Sequence, residues 1–120
     1  MSLTHFTNAY IECALWSSTD DNGTSIDTIK DPSDFGRHAI ASIREDCNTF
    51  YRLHGMLFEN GDAAAGHDFW LTRNRHGAGF WDGDYTEEAG KILTSAAHGF
   101  GESDILVGYD GMLHVYPMKE

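Results

Sequence analysis

Residues 4–16 place Phe6, Ala9, Tyr10, Cys13 and Ala14 three and four apart, which is the spacing of one helix face, with Thr4 or Thr7 available as a cap. The stretch from Ser17 to Ser25 is polar and aperiodic, so it reads as a loop, and it carries the adjacent acids Asp20 and Asp21. Asp31-Pro32-Ser33-Asp34 then opens a long second helix. Asp31 can accept a bond from a free amide, Pro32 has no amide to satisfy, and further acid suits the positive end. From Phe35 the positions Ala39, Ile40, Ile43, Cys47, Phe50, Tyr51, His54, Leu57 and Phe58 recur at steps of three and four as far as Asn60-Gly61. Arg37, Arg44, Glu45, Asn48 and Arg52 fill the opposite face.

After Ala63-Ala64-Ala65-Gly66 the pattern reads as a period of two. Phe69, Leu71 and Arg73 alternate with Asp68, Trp70 and Thr72. A turn at Asn74-Arg75-His76-Gly77 then leads back through Ala78 to Asp82, which predicts a hairpin with both faces apolar and its basic tip exposed. Thr86 caps a third helix whose apolar positions are Ala89, Ile92, Leu93, Ala96, Ala97 and Phe100 and which ends at Gly99 and Gly101. A second hairpin follows, Ile105–Tyr109 and Met112–Tyr116 about the turn signal Asp110-Gly111. Its faces read as Leu106, Leu113 and Val115 against Ile105, Val107, Tyr109, Met112, His114 and Tyr116. The expected class is α+β in the order α-α-β-β-α-β-β, a small, mostly antiparallel sheet of two hairpins with helices on both faces, as a single domain over residues 1–120.

Charge changes the picture more than size does: 19 acids against 8 Lys and Arg leave a net charge of −11. Residues 1–60 carry nine acids and four bases and residues 61–120 ten and four, so there is no acidic tail, and direct nucleic-acid binding through a basic patch is not expected. Such a charge keeps a chain soluble, and it also suits a basic site on a partner. Cys13 and Cys47 form no C-x-x-C pattern and fall on apolar helix faces, where they read as small core residues. No apolar run approaches the ~20 residues that span a bilayer. The start, Met1 to Phe6, has neither the basic residues nor the apolar stretch of a secretory signal, so the expectation is an intact cytoplasmic chain with no membrane contact.

Two segments carry a resemblance: Ala9-Tyr10-Ile11-Glu12-Cys13-Ala14-Leu15-Trp16-Ser17-Ser18-Thr19-Asp20, and Ala65 to Asp82 with its run Gly66-His67-Asp68-Phe69-Trp70-Leu71-Thr72-Arg73-Asn74 followed by His76-Gly77-Ala78-Gly79-Phe80-Trp81-Asp82. With Val107-Gly108-Tyr109-Asp110-Gly111 they resemble a family of small bacteriophage and prophage proteins that has no assigned activity. The resemblance implies expression in the cytoplasm of an infected bacterium and action on a host component. Family members place Gly after the Asn of the first turn, whereas this chain has Arg75, for which a positive φ is costlier.

Candidate chemistry is sparse. His67, Asp68, His76, Asp82 and Asp84 lie around the expected first hairpin, but His67 and His76 would stand about 25 Å apart along a strand, so no metal or other cofactor is expected. Cys47 and His54, two helical turns apart, are too distant to share a proton, and no nucleophile, phosphate-loop or metalloprotease motif occurs. The resulting expectation is a non-enzymatic accessory protein that binds and modulates or inhibits a bacterial host protein, such as a defence or nucleic-acid-processing complex, by occupying a basic nucleic-acid-binding site. Its contact residues are expected to be Asp20, Asp21, Asp68, Asp82 and Asp84, since loops and sheet ends expose charge. The alternatives are a small enzyme or a ligand- or metal-binding protein using Asp68, Asp82 and Asp84, and a phage structural component.

Overall fold

The structure, a computed structural model, describes residues 2–117. It is α+β, with four helices, α1 (Leu3–Ser17), α2 (Arg37–His54), α3 (Asp62–Arg73) and α4 (Glu87–Gly99), followed by one antiparallel hairpin of β1 (Asp104–Val107) and β2 (Leu113–Tyr116). Single 3-10 turns cover Ile26–Thr28, Pro32–Asp34 and Gly55–Leu57. Ser2 caps α1 by accepting from the His5 amide, two residues ahead of Thr4, the nearer of the expected caps. Asp31 and Asp34 do form a reciprocal cap, but around the short 3-10 turn, and α2 starts three residues later. The apolar stripe of α2 ends at His54, and Leu57 in the following 3-10 turn and Phe58 just after it continue beyond it, both half-buried.

The expected first hairpin is instead helix α3 followed by an irregular segment, so among the described residues the sheet has two strands, not four, and the element order becomes α-α-α-α-β-β. Ala63, Ala64 and Ala65 favour a helix strongly. The buried set Ala65, Gly66, Phe69, Trp70, Thr72 and Arg73 then repeats at helical spacing, and the alternation of residues 68 to 73 is incidental to it. What reads as a hairpin turn is the helix end. Arg75 is left-handed at φ 57°, its amide donates to Thr72 O at 3.0 Å and the His76 amide donates to Leu71 O at 2.9 Å, the paired bonds of a Schellman ending. Asn-x at this point demanded a positive φ in either reading, and only the element it terminates differs.

Helix α1 is central and buried around most of its circumference, with Phe6, Ala9, Tyr10, Ile11, Cys13, Ala14 and Leu15 inside. Its closest neighbour is α3, where a β-carbon on Gly66 would lie 2.2 Å from the Phe6 carbonyl oxygen, so only glycine permits that crossing. Six of the seven phenylalanines form one aromatic cluster: Phe6, Phe50, Phe58, Phe69, Phe80 and Phe100, with Phe50 and Phe69 stacked at 4.1 Å between centroids. The cluster ties α1, α2, α3, the Phe80 segment and the end of α4 together. The hairpin joins from the side. The Gly36 amide donates to Leu113 O at 2.9 Å and Lys30 Nζ donates to Gly111 O at 2.7 Å.

Candidate functional site

Most of the distinctive segment from His67 to Asp82 is consumed by architecture. Arg73, expected at an exposed tip, is only 4% exposed. Its guanidinium donates to Asp46 Oδ2 at 2.9 Å, Tyr10 Oη at 3.0 Å, Gly101 O at 2.8 Å and Phe100 O at 3.2 Å, and it lies 5.6 and 5.7 Å from the Phe69 and Phe100 ring centres. One side chain thereby fastens α3 to α1, α2 and the end of α4. Burial raises the Tyr10 hydroxyl well above the ordinary tyrosine range despite the nearby cation, so it stays protonated. Thr72 Oγ1 accepts from the Phe80 amide at 3.1 Å, Trp70 Nε1 donates to Ser17 Oγ at 2.7 Å, and the Asn74 side chain bridges Trp70 O and the Ser103 amide. Trp70 and Phe80 are buried as expected, whereas Trp81 is 53% exposed and is not part of the core.

The five candidate carboxylates fall into two groups. Asp68, Asp82 and Asp84 gather near Tyr85, whose hydroxyl donates to Asp68 Oδ2 at 2.9 Å. Burial raises the Asp68 carboxyl above its ordinary value, the Tyr85 bond opposes this, and repulsion from Asp82 and Asp84 adds to it. Asp82 is occupied locally, accepting from the Gly79 amide at 3.3 Å, and the Asp84 carbonyl accepts from Asn60 Nδ2 at 2.6 Å. His67 lies on α3 and His76 just beyond its end rather than at two ends of a strand. Among the described residues no group of three or more His, Cys, Asp or Glu side chains is placed to hold a metal ion. Burial pushes the Cys13 and Cys47 thiols up to about 12, so neither is a ready nucleophile.

Asp20 and Asp21 stand in a different setting. Asp20 Oδ1 accepts from the amides of Asn22 and Thr24, both at 2.9 Å, which folds the loop into a fixed turn and leaves Asp21 exposed. A cleft of about 440 Å³ separates this turn from the hairpin, lined by Thr19 to Asn22 on one side and Ile105 to Tyr109 on the other. The hairpin pairs Ile105 with Val115, Leu106 with His114 and Val107 with Leu113. Ile105, Leu113 and Val115 therefore share the buried face, and Leu106, expected beside Leu113 and Val115, faces outward. Leu106 is 49% and Tyr116 56% exposed, Tyr109 is fully exposed, and the acids Glu102, Asp104 and Asp110 are exposed in the same segment.

The hairpin was legible in the sequence, but its exposed face was not singled out as functional, because both faces read as equally apolar. The informative signal is the position of Asp104 and Asp110, which puts an exposed acid at the root and another at the turn, where Asp110 pairs with His114 Nε2 at 3.1 Å. Among the described residues no helix is long and apolar enough to cross a membrane. Comparison of the chain with family models, curated proteins and solved structures finds no match in any of the three. The resemblance to phage proteins thus rests on the motif residues alone.

Proposed function

We propose that the protein is a non-enzymatic accessory protein of phage type that binds a basic surface on a bacterial host protein in the cytoplasm of the infected cell and modulates it. The observation that carries this reading is the outward face of the hairpin. Leu106, Tyr109 and Tyr116 stand exposed there, beside Asp20, Asp21, Asp104 and Asp110. An apolar patch rimmed by charge is the composition of a protein contact, with the apolar centre supplying affinity and the rim supplying orientation and encounter rate. The net charge of −11 sets a like-charged copy of this chain at a disadvantage and favours a basic partner. Exposed carboxylates also occur on α1 (Glu12), α2 (Glu45) and α4 (Glu87, Glu88), so the proposal takes a local acidic contact rather than a molecule-wide imitation of nucleic acid.

Of the five acids, Asp20 and Asp21 are assigned to the contact. Asp68 accepts from Tyr85, and Asp82 and Asp84, exposed beside it, form a separate acidic group. The test is affinity capture from bacterial lysate by the wild-type chain, by Leu106→Ser with Tyr109→Ser, and by Asp20→Asn with Asp21→Asn. A specific protein held by the wild type, lost from the apolar variant and reduced in the acidic variant, supports the proposal. Equal retention by all three overturns it.

A further inference from the structure

We propose that a second cleft, between α4 and the segment from Phe80 to Thr86, binds a small planar aromatic molecule carrying an anionic group. This site is independent of the hairpin contact. The cleft encloses about 680 Å³, within the ~300–1,000 Å³ usual for small-molecule sites. One wall is the face of α4 bearing Lys91, Thr94 and His98, and the other is formed by Trp81 and Tyr85 over Phe80.

Three separate features point to this ligand chemistry. Trp81 is left 53% exposed although Phe80 beside it is only 1% exposed. The turn that carries it is held by the mutual bonds of Gly79 and Asp82 and by the Phe80 amide on Thr72 Oγ1, so the indole projects from a fixed base. An exposed indole on a fixed backbone is a stacking surface for a flat ring. Thr94 Oγ1 is buried without a hydrogen-bond partner, which holds for no other buried side-chain nitrogen or oxygen among the described residues. Thr94 is a half-buried residue of the cleft lining, and its shielded hydroxyl would gain a partner only if a ligand entering the cleft turned it outward. Lys91 puts a cation into the lining of a strongly acidic protein, His98 two helical turns on adds a hydrogen-bonding imidazole, and Glu87 is the single carboxylate in that lining. Glu87 meets Lys91 at 3.2 Å, but both side chains are exposed, and such a pair is weak enough for a ligand anion to take its place.

Titrating the isotopically labelled full chain with AMP, adenosine and ribose 5-phosphate, read by NMR amide and indole shifts, tests the proposal. AMP supplies ring and anion, adenosine the ring alone, and ribose 5-phosphate the anion alone. Saturable shifts at the Trp81 indole N–H and along α4 are expected with AMP, weaker ones with adenosine and none with ribose 5-phosphate. Trp81→Ala, at an exposed position, is expected to weaken AMP binding about tenfold or more without unfolding the chain. Lys91→Ala is expected to erase the preference for AMP over adenosine, and Lys91→Arg to keep it. Thr94→Val removes the unpaired hydroxyl, so it is expected to raise the melting temperature of the free protein while weakening AMP. No saturable shift with any of the three probes, shifts centred on Trp16, or AMP binding unchanged in both Trp81→Ala and Thr94→Val would overturn the proposal.

Discussion

Arg73 shows how far a residue's role can lie from its local sequence. A charged side chain beside Asn74 and Arg75 is by default exposed. Its burial is decided by Asp46, 27 positions away, by Tyr10, and by carbonyls at the end of α4, none of which leaves a mark in the segment around it. Removing one partner strands a buried charge, so Asp46→Ala is expected to cost about 3–5 kcal/mol in urea unfolding. Asp46→Ala combined with Arg73→Met is expected to be more stable than Asp46→Ala alone, because the stranded cation goes too. Asp68 offers a pH signature. Its folded carboxyl is raised, chiefly by burial, so the folded state holds the proton more tightly than the unfolded chain. Asp68 therefore favours folding below the unfolded value and loses that contribution as pH rises through the folded one. Asp68→Asn keeps an acceptor for Tyr85 without the charge. It is expected to be at least as stable as wild type at pH 7, with wild type gaining on it as pH is lowered, as followed by melting temperature against pH.

At the scale of elements, α1, α2, α4 and the C-terminal hairpin were legible because each pairs a clear period with a stop or start signal: Thr86 before α4, Gly99 and Gly101 around its end, Asp110-Gly111 in the hairpin turn. Helix α3 was not, because Phe69 to Arg73 satisfies both a two-residue and a helical period over so short a span. The alanine-rich start favours the helix. The strands pair one position away from the register that the hydrophobic pattern suggests, which puts Leu106 on the exposed face. The helical reading of α3 carries two mutational consequences. Arg75→Gly is expected to stabilise the protein by about 1 kcal/mol, since the left-handed conformation penalises any residue with a β-carbon. Gly66→Ala is expected to destabilise by about 1–3 kcal/mol, despite alanine's higher helix propensity, because the added carbon meets the Phe6 carbonyl of α1. Chemical denaturation of both variants checks the pair, and a stabilised Gly66→Ala would contradict the close α1–α3 crossing.

For the whole molecule, the division of labour is between a helical body locked by one aromatic cluster and Arg73, and a hairpin attached at its side with one face uncovered. The acidic composition was visible in the sequence, but the placement of carboxylates beside exposed Leu106, Tyr109 and Tyr116 depends on strand register and on the fold of the Asp20 turn. A basic partner held by this combined surface has an association rate set by salt. With the captured host protein immobilised, the wild-type association rate is expected to fall steeply as ionic strength rises, because exposed charges are screened beyond about 8–10 Å near physiological salt. Asp20→Asn with Asp21→Asn is expected to associate more slowly at low salt, to converge on wild type at high salt, and to melt within about 1 °C of it, since Asn retains the acceptor that holds the turn. Association that is independent of salt and identical for wild type and the double variant would rule out an electrostatic contact through this surface.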